Sequence, residues 1–261
     1  MARTFDGSND QIAYGSDAAA DDLSAFTAVA LVRITGNVVD ERQIFTKMTA
    51  GYTGKIYISA SGDGVNNNKV FGVVVGSVDG YGESAVNALV VNTWRVIVST
   101  WAGSLNPVKL YACDLGGSIA ELSYTSQTSN TGSISADASA TLRLGARDAA
   151  DATFFAGGLA ECALWNRVLS LGEISALGRG YSPRFFPNGR VFYSPVDGRS
   201  SPEFNYGGTS GTVTEAAYLE HPKVIYPKNF SLPYKGGVVA AVTNAARGIC
   251  RSLGRSLGRS A

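Results

Sequence analysis

From Arg3 to about Asn166, short apolar runs alternate with clusters of Gly, Asn, Asp and Ser, as in residues 61–68 and 77–82. Runs of strand length, closed at such short intervals by turn-forming residues, predict an all-β fold of the sandwich or barrel type. The 31 glycines, spread among Ser, Thr, Ala and Val, work against long helices.

The run from Phe26 to Ile34 carries Phe26, Ala28, Ala30, Val32 and Ile34 on one face and Val29 and Leu31 on the other. Both faces are apolar, so this strand is expected to be central. In Lys55 to Ala60, Ile56 and Ile58 alternate with Tyr57 and Ser59; from Trp94 to Trp101, Trp94, Val96 and Val98 oppose Arg95, Ile97 and Ser99. These two read as half-buried strands. Further strands are expected at 43–49, 69–75, 86–91, 108–113, 141–146 and 154–166. One helix is predicted, about Leu171 to Leu177, because Ser170 and Glu173 have the spacing of a capping box and Gly178 and Gly180 follow.

Charged residues make up 16% of the chain, against roughly 25% in an average soluble domain. The net charge is +1, so neither a nucleic-acid-binding nor an acidic disordered composition is present, and no specific nucleic acid is expected as a partner. No apolar run is long enough to span a bilayer, and the N-terminus lacks the basic-then-apolar build of a secretory signal. Folding in a reducing cytoplasm is the expectation. Cys113, Cys162 and Cys250 are an odd, widely spaced set, read as buried thiols rather than a disulfide or metal site.

The second part of the chain is built differently. Seven of the 8 prolines follow residue 180. Three regions are expected: a sandwich over 1–180, a Pro-rich extension with a few strands and an extended arm over 181–234, and a basic tail over 235–261. Each proline biases its predecessor away from helix, so the stretch from His221 to Tyr234 should be extended. The tail holds Lys235, Arg247, Arg251, Arg255 and Arg259 with no acidic residue, which leaves residues 1–234 at −4. Its four arginines recur every fourth position, so a helix would align them in one drifting stripe; its glycines make that helix marginal without a partner. A solvated, frayed tail accounts for the same residues. Read as a docking element, the C-terminus offers His221, Tyr226, Phe230, Tyr234, Arg247, Arg251, Arg255 and Arg259 to a neighbouring subunit.

Several motifs together carry a family resemblance. They are the opening Phe5-Asp6-Gly7-Ser8-Asn9-Asp10, the strand Phe26 to Arg33, the strand from Trp94, Val108 to Tyr111, Leu142 to Arg147, and the ending Phe154 to Ile174. Over about residues 3–177 the chain resembles the concanavalin-A-like jelly roll of the laminin-G-like family. The resemblance implies a jelly-roll sandwich with one short capped helix. Two departures, the longer turn after Tyr111 and Ala160 where an Asp is common, weaken transfer of the family's calcium or glycan sites. Residues 189–198, 207–214 and 220–227 resemble the tail that follows such domains in bacteriophage virion proteins.

Catalytic chemistry is poorly provided for. His221 is the only histidine, so a Ser-His-Asp set would depend on it, and it lies in the Pro-flanked arm. Three scattered cysteines and one distant histidine match no zinc spacing. Glycoside hydrolysis needs two carboxylates across the scissile bond, and Glu161 in the closing strand has no acidic partner two or four residues away. Gly80 to Ala85 formally matches a nucleotide-binding pattern, but no helix follows, and it reads as a hairpin turn. Asp6, Asn9, Asp10, Asp148 and Asp151 are oxygen donors of the kind calcium takes, and turn chemistry explains the same residues. Tyr14, Tyr52 and Tyr81 are candidates for stacking on sugar rings.

No catalytic residue, metal ligand or cofactor is therefore expected. The resemblance and the C-terminal features imply a non-enzymatic bacteriophage virion structural protein, assembled in the host cytoplasm. In this reading it is a homo-oligomeric capsid decoration or cement protein, held by its C-terminal arm to the major capsid protein or other virion subunits. The alternative is a carbohydrate-binding adhesin or tail-fibre module recognising host glycans. A glycosidase ranks third.

Overall fold

A computed structural model describes residues 1–48, 54–65, 67–85, 87–147, 153–214 and 216–228, all within one unit, Met1–Lys228. In chain order the strands are β1 (Ala2–Asp6), β2 (Gln11–Gly15), β3 (Phe26–Ile34), β4 (Val39–Met48), β5 (Gly54–Asp63), β6 (Lys69–Val74), β7 (Gly76–Val78), β8 (Gly80–Ser84) and β9 (Arg95–Trp101). They continue with β10 (Lys109–Asp114), β11 (Ala120–Glu121), β12 (Tyr124–Thr128), β13 (Thr131–Ile134), β14 (Thr141–Leu144), β15 (Ala156–Trp165), β16 (Arg190–Ser194), β17 (Thr212–Thr214) and β18 (Ala217–Leu219).

They build two large antiparallel sheets. The first runs β11-β10-β9-β3-β15-β1-β18, and the second β12-β8-β6-β5-β4-β14-β2-β17, with β7 and β13 as a separate pair. Phe26, Ala28, Ala30, Val32 and Ile34 of β3 face the second sheet in one core with Ile44, Ile56, Ile58, Val70 and Phe192. Val29 and Leu31 face the other way, into a second cluster on the outside of the first sheet. The two-sided pattern read from β3 thus corresponds to two cores, and β3 lies between β9 and β15.

Strand β9 departs from the half-buried expectation. Its Ile97 enters the inner core while Val96 and Val98 enter the outer cluster. The outer face is covered by the one α-helix among the described residues, α1 (Leu171–Gly178), through Ile174 and Leu177, and by Tyr193, Phe186, Tyr206 and Val224 from later in the chain. The capping box forms as expected: Glu173 N–H donates to Ser170 Oγ at 3.3 Å and Ser170 N–H donates to Glu173 Oε2 at 2.8 Å. Arg167 grips the same carboxylate through both its Nη atoms and holds it well below the usual carboxylate range.

Three other expectations change. Residues 87–91 form turns rather than a strand, with Asn87 at φ +63° and Ala88 and Leu89 inserted into the core. Gly80 and Gly82 lie in a strand, not a hairpin turn. A Cβ on Gly82 would meet the Val108 carbonyl at 2.7 Å, so the glycine permits a close backbone approach. The boundary expected at 180 does not separate an extension within the described residues. Strand β16 pairs with β15, β17 with β2 and β18 with β1, so these three strands add to both sheets. After β18 the described segment, to Lys228, forms no further strand, and Ile225 bridges in parallel to Tyr181. Cys113 and Cys162 are buried free thiols. No helix among the described residues is long and apolar enough to cross a membrane.

Candidate functional site

The sequence-predicted partner residues His221 and Tyr226 converge on Glu161, and a bulge in β15 is the reason. Along β15, Leu159, Cys162 and Leu164 face the inner core and Ala160, Ala163 and Trp165 the outer cluster. The ladder to β3 shifts register between Ala160 and Ala163, and Glu161 adopts φ +50°. One inserted residue therefore lets Ala160 and Glu161 both turn outward instead of driving a carboxylate between the sheets.

There Glu161 is 0% exposed. Its Oε1 accepts the Tyr226 hydroxyl at 2.6 Å, and its Oε2 accepts Ser182 Oγ at 2.7 Å and the Tyr193 hydroxyl at 3.0 Å. His221 Nε2 lies 3.7 Å from Oε1. Burial pushes the carboxyl up to about 7, against the pull of these three hydroxyls. Burial also lowers the pKa of His221, against the carbonyls of Pro222 and Pro195 on its ring nitrogens. A glycosidase acid must touch the scissile bond. Glu161, sealed on every side, instead ties the 181–228 segment to the sandwich. Phe230, Tyr234 and the arginines 247, 251, 255 and 259 lie outside the described residues, as do Lys235 and Cys250.

The candidate calcium donors at the N-terminus serve the backbone. Asp6 Oδ1 accepts the Ser8 N–H at 2.7 Å, and Asp10 Oδ2 accepts the Asp6 N–H at 2.8 Å. Asp148 and Asp151 lie outside the described residues, and no group of three or more metal-ligating side chains is assembled among those described.

Of the tyrosines considered for stacking, Tyr14 is buried in the inner core, where its hydroxyl donates to Ser194 Oγ at 2.8 Å, so its ring meets no ligand. Tyr52 lies outside the described residues. Tyr81 is half-exposed, and the structure brings two further rings to it that the sequence reading had not singled out as a site. Register places Tyr57, Val73 and Tyr81 in one row across β5, β6 and β8, and Ser59, Phe71 and Glu83 in the next. Ile56, Ile58, Val70 and Val74 on the same strands occupy the inner core, so both rows face away from it.

Phe71 is the middle ring, 6.0 Å from Tyr57 and 5.7 Å from Tyr81, with interplanar tilts of 60° and 50°. All three are half-buried. Beside them Lys69 Nζ and Glu83 Oε1 pair at 3.0 Å, and Gln43 Nε2 donates to Glu41 Oε1 at 2.8 Å. The face thus combines an apolar, ring-lined strip with a charged pair along its border. The usable sequence signal was period-two placement opposite the core residues; the cross-strand register that unites the rings came only with the fold.

The family model for the concanavalin A-like lectin/glucanases superfamily matches residues 6–175. A comparison with curated proteins gives no match. Among solved structures, a proposed carbohydrate-binding protein from Bacteroides ovatus is 17% identical with a TM-score of 0.53, the match covering 83% of this chain and 58% of that one. The heptameric SAP-like pentraxin of Limulus polyphemus is 13% identical with a TM-score of 0.49, covering 80% of this chain and 97% of that one. Tailspike protein 2 of the Escherichia coli O157:H7 bacteriophage CAB120 is 9% identical with a TM-score of 0.43, covering 76% and 30%. At these identities the likeness is one of fold.

Proposed function

Since the chain belongs to the concanavalin A-like lectin/glucanases superfamily, we propose that it is a non-catalytic glycan-binding module whose contact face is the strip Tyr57, Phe71 and Tyr81. The observation that carries this reading is the cluster of three half-exposed rings, drawn from two adjacent cross-strand rows and bordered by the Lys69–Glu83 pair. Sugar rings present an apolar C–H face that packs on an aromatic ring and a hydroxylated edge that needs hydrogen-bonding groups beside it. Rings tilted by 60° and 50° suit a single, twisting glycan chain; a flat crystalline surface would require them coplanar. The burial of Glu161 supports the non-catalytic part.

The setting we propose is a bacteriophage particle, on the resemblance of residues 189–198, 207–214 and 220–227 to virion-protein tails and on the basic composition of residues 235–261. The described part of the arm lies on the chain's own sandwich, with Tyr226 bound to Glu161. That weakens the arm as a clamp on a capsid neighbour and leaves attachment to residues 229–261.

A glycan array probed with the full chain, followed by calorimetry on any hit, tests the binding. Tyr57→Ala and Tyr81→Ala should each weaken a hit severalfold, and binding unchanged in both variants would overturn the assigned face. Copurification with particles, lost on deletion of residues 229–261, tests the setting.

A further inference from the structure

One corner of the sandwich, away from the ring-lined face, buries Lys47 with 0% of its side chain exposed. Its Nζ lies 2.7 Å from Asp21 Oδ1, 2.6 Å from the main-chain oxygen of Asp137 and 3.4 Å from Asp137 Oδ2. The Asp137 side chain is equally sealed, and that of Asp21 is 16% exposed. The other oxygen, Asp137 Oδ1, accepts the Asp22 N–H at 2.6 Å, while Asp137 N–H donates to Asp22 Oδ1 at 3.2 Å. Two local devices hold this loop. A 3-10 turn over Ala18–Ala20 is capped by Asp17, and Asp22 follows at φ +47°.

We propose that Lys47 and Asp137 condense into an intramolecular isopeptide bond, with Asp21 as proton carrier and the Asp22 N–H as the oxyanion donor. The lone pair of the neutral Nζ attacks Cγ of the protonated Asp137 carboxyl, forming the N–C bond. The charge that develops on Oδ1 is held by the Asp22 N–H already directed at it. Asp21 takes a proton from the nitrogen and delivers it to Oδ2, the Cγ–Oδ2 bond breaks, and one water leaves. Amine and carboxylic acid become amide and water, so no oxidant or cofactor is consumed.

Two physical features favour this over a plain ion pair. The fold holds nucleophile and electrophile together, replacing a bimolecular encounter with a positioned one. The sealed corner excludes the water that would hydrolyse the product. The bond would staple β4 to the loop before β14 across 90 residues of sequence, limiting the freedom of the unfolded chain.

Intact mass spectrometry of the denatured full chain tests it. After allowance for the initiator methionine, the wild type is expected to be lighter than its sequence by one water, and digestion should yield one branched peptide joining Lys47 to Asp137. Lys47→Arg should restore the full mass, and Asp21→Asn should accumulate uncondensed chain. A wild-type chain at full mass, or a missing water mapped to any other bond such as a succinimide, overturns the proposal. Because the wild type alone decides, a variant that fails to fold does not obscure the result.

Discussion

The Tyr226 hydroxyl and Glu161 Oε1 meet at 2.6 Å, 65 residues apart in sequence. This bond fastens the last described segment to the middle of the first sheet, at a carboxylate the β15 bulge has turned outward. Tyr226→Phe removes only the donor and keeps the ring. A hydrogen bond to a charged group is worth about 1.5–3 kcal/mol, and about 1 kcal/mol when both partners are neutral. Urea unfolding should show a loss in that range with the slope unchanged; a variant as stable as the wild type would mean that the segment is held by packing alone.

Glu161 also sets a pH dependence. Its folded pKa is raised to about 7 from 4.5, so the folded state holds the proton more tightly than the unfolded state. The associated stability is full below about 4.5 and is lost as pH rises through about 7. His221, lowered from 6.5 by burial, acts in the opposite sense: its contribution is full above 6.5 and lost as pH falls through its folded value. Glu161→Gln removes the first effect and leaves the second. Melting temperatures at about pH 5 and about pH 8 should show the Gln variant gaining on the wild type at the higher pH. A constant difference between the two proteins would rule out titration of Glu161 in this window.

The fold was legible where a local pattern has a single structural solution. Phe26 to Ile34 predicted a central strand, apolar on both faces, and Ser170 with Glu173 predicted the capped helix. The site was less legible because it depends on register. Nothing local joins Tyr57, Phe71 and Tyr81, which become neighbours only when β5, β6 and β8 pair as they do. The same holds for Glu161: a carboxylate in a run of small and apolar residues gives no sign of the bulge that redirects it. Tyr226 was offered to a neighbouring subunit by its place in a Pro-flanked stretch, whereas the acceptor of its hydroxyl lies 65 residues away in the same chain, a contact no local pattern announces.

A second buried pair ties the N-terminus to the late segment. Arg3 Nε donates to Glu203 Oε2 at 2.9 Å, and its two Nη atoms donate to the carbonyls of Ala216 and Ser200 at 3.0 and 2.6 Å. Both side chains are nearly unexposed, at 3% and 0%. Glu203→Ala leaves a guanidinium buried without its counter-charge, which costs about 3–5 kcal/mol. Chemical denaturation of Glu203→Ala and of the double variant Arg3→Met, Glu203→Ala should show the double recovering part of that loss. If the double variant is simply the sum of its parts, the pair contributes through packing and not through charge.

The ring-lined strip makes a prediction that separates binding from stability. Phe71 is half-buried on the outside of the second sheet, whereas Phe26 lies in the inner core with 0% exposure. Truncating a core phenylalanine costs about 3–5 kcal/mol, so Phe26→Ala should unfold readily. Phe71→Ala forfeits only a part-exposed surface and its contacts with Tyr57 and Tyr81, each ring pair being worth about 0.5–1.5 kcal/mol. Its melting temperature should fall modestly, while affinity for a glycan that binds the strip should drop severalfold. Glu83→Gln, which removes a charge beside the rings but keeps a hydrogen-bonding amide, should leave stacking intact and change affinity less than Phe71→Ala does. Calorimetric titration of the two variants against one bound oligosaccharide distinguishes the contributions: a larger loss from Glu83→Gln would shift the recognition from the rings to the charged border.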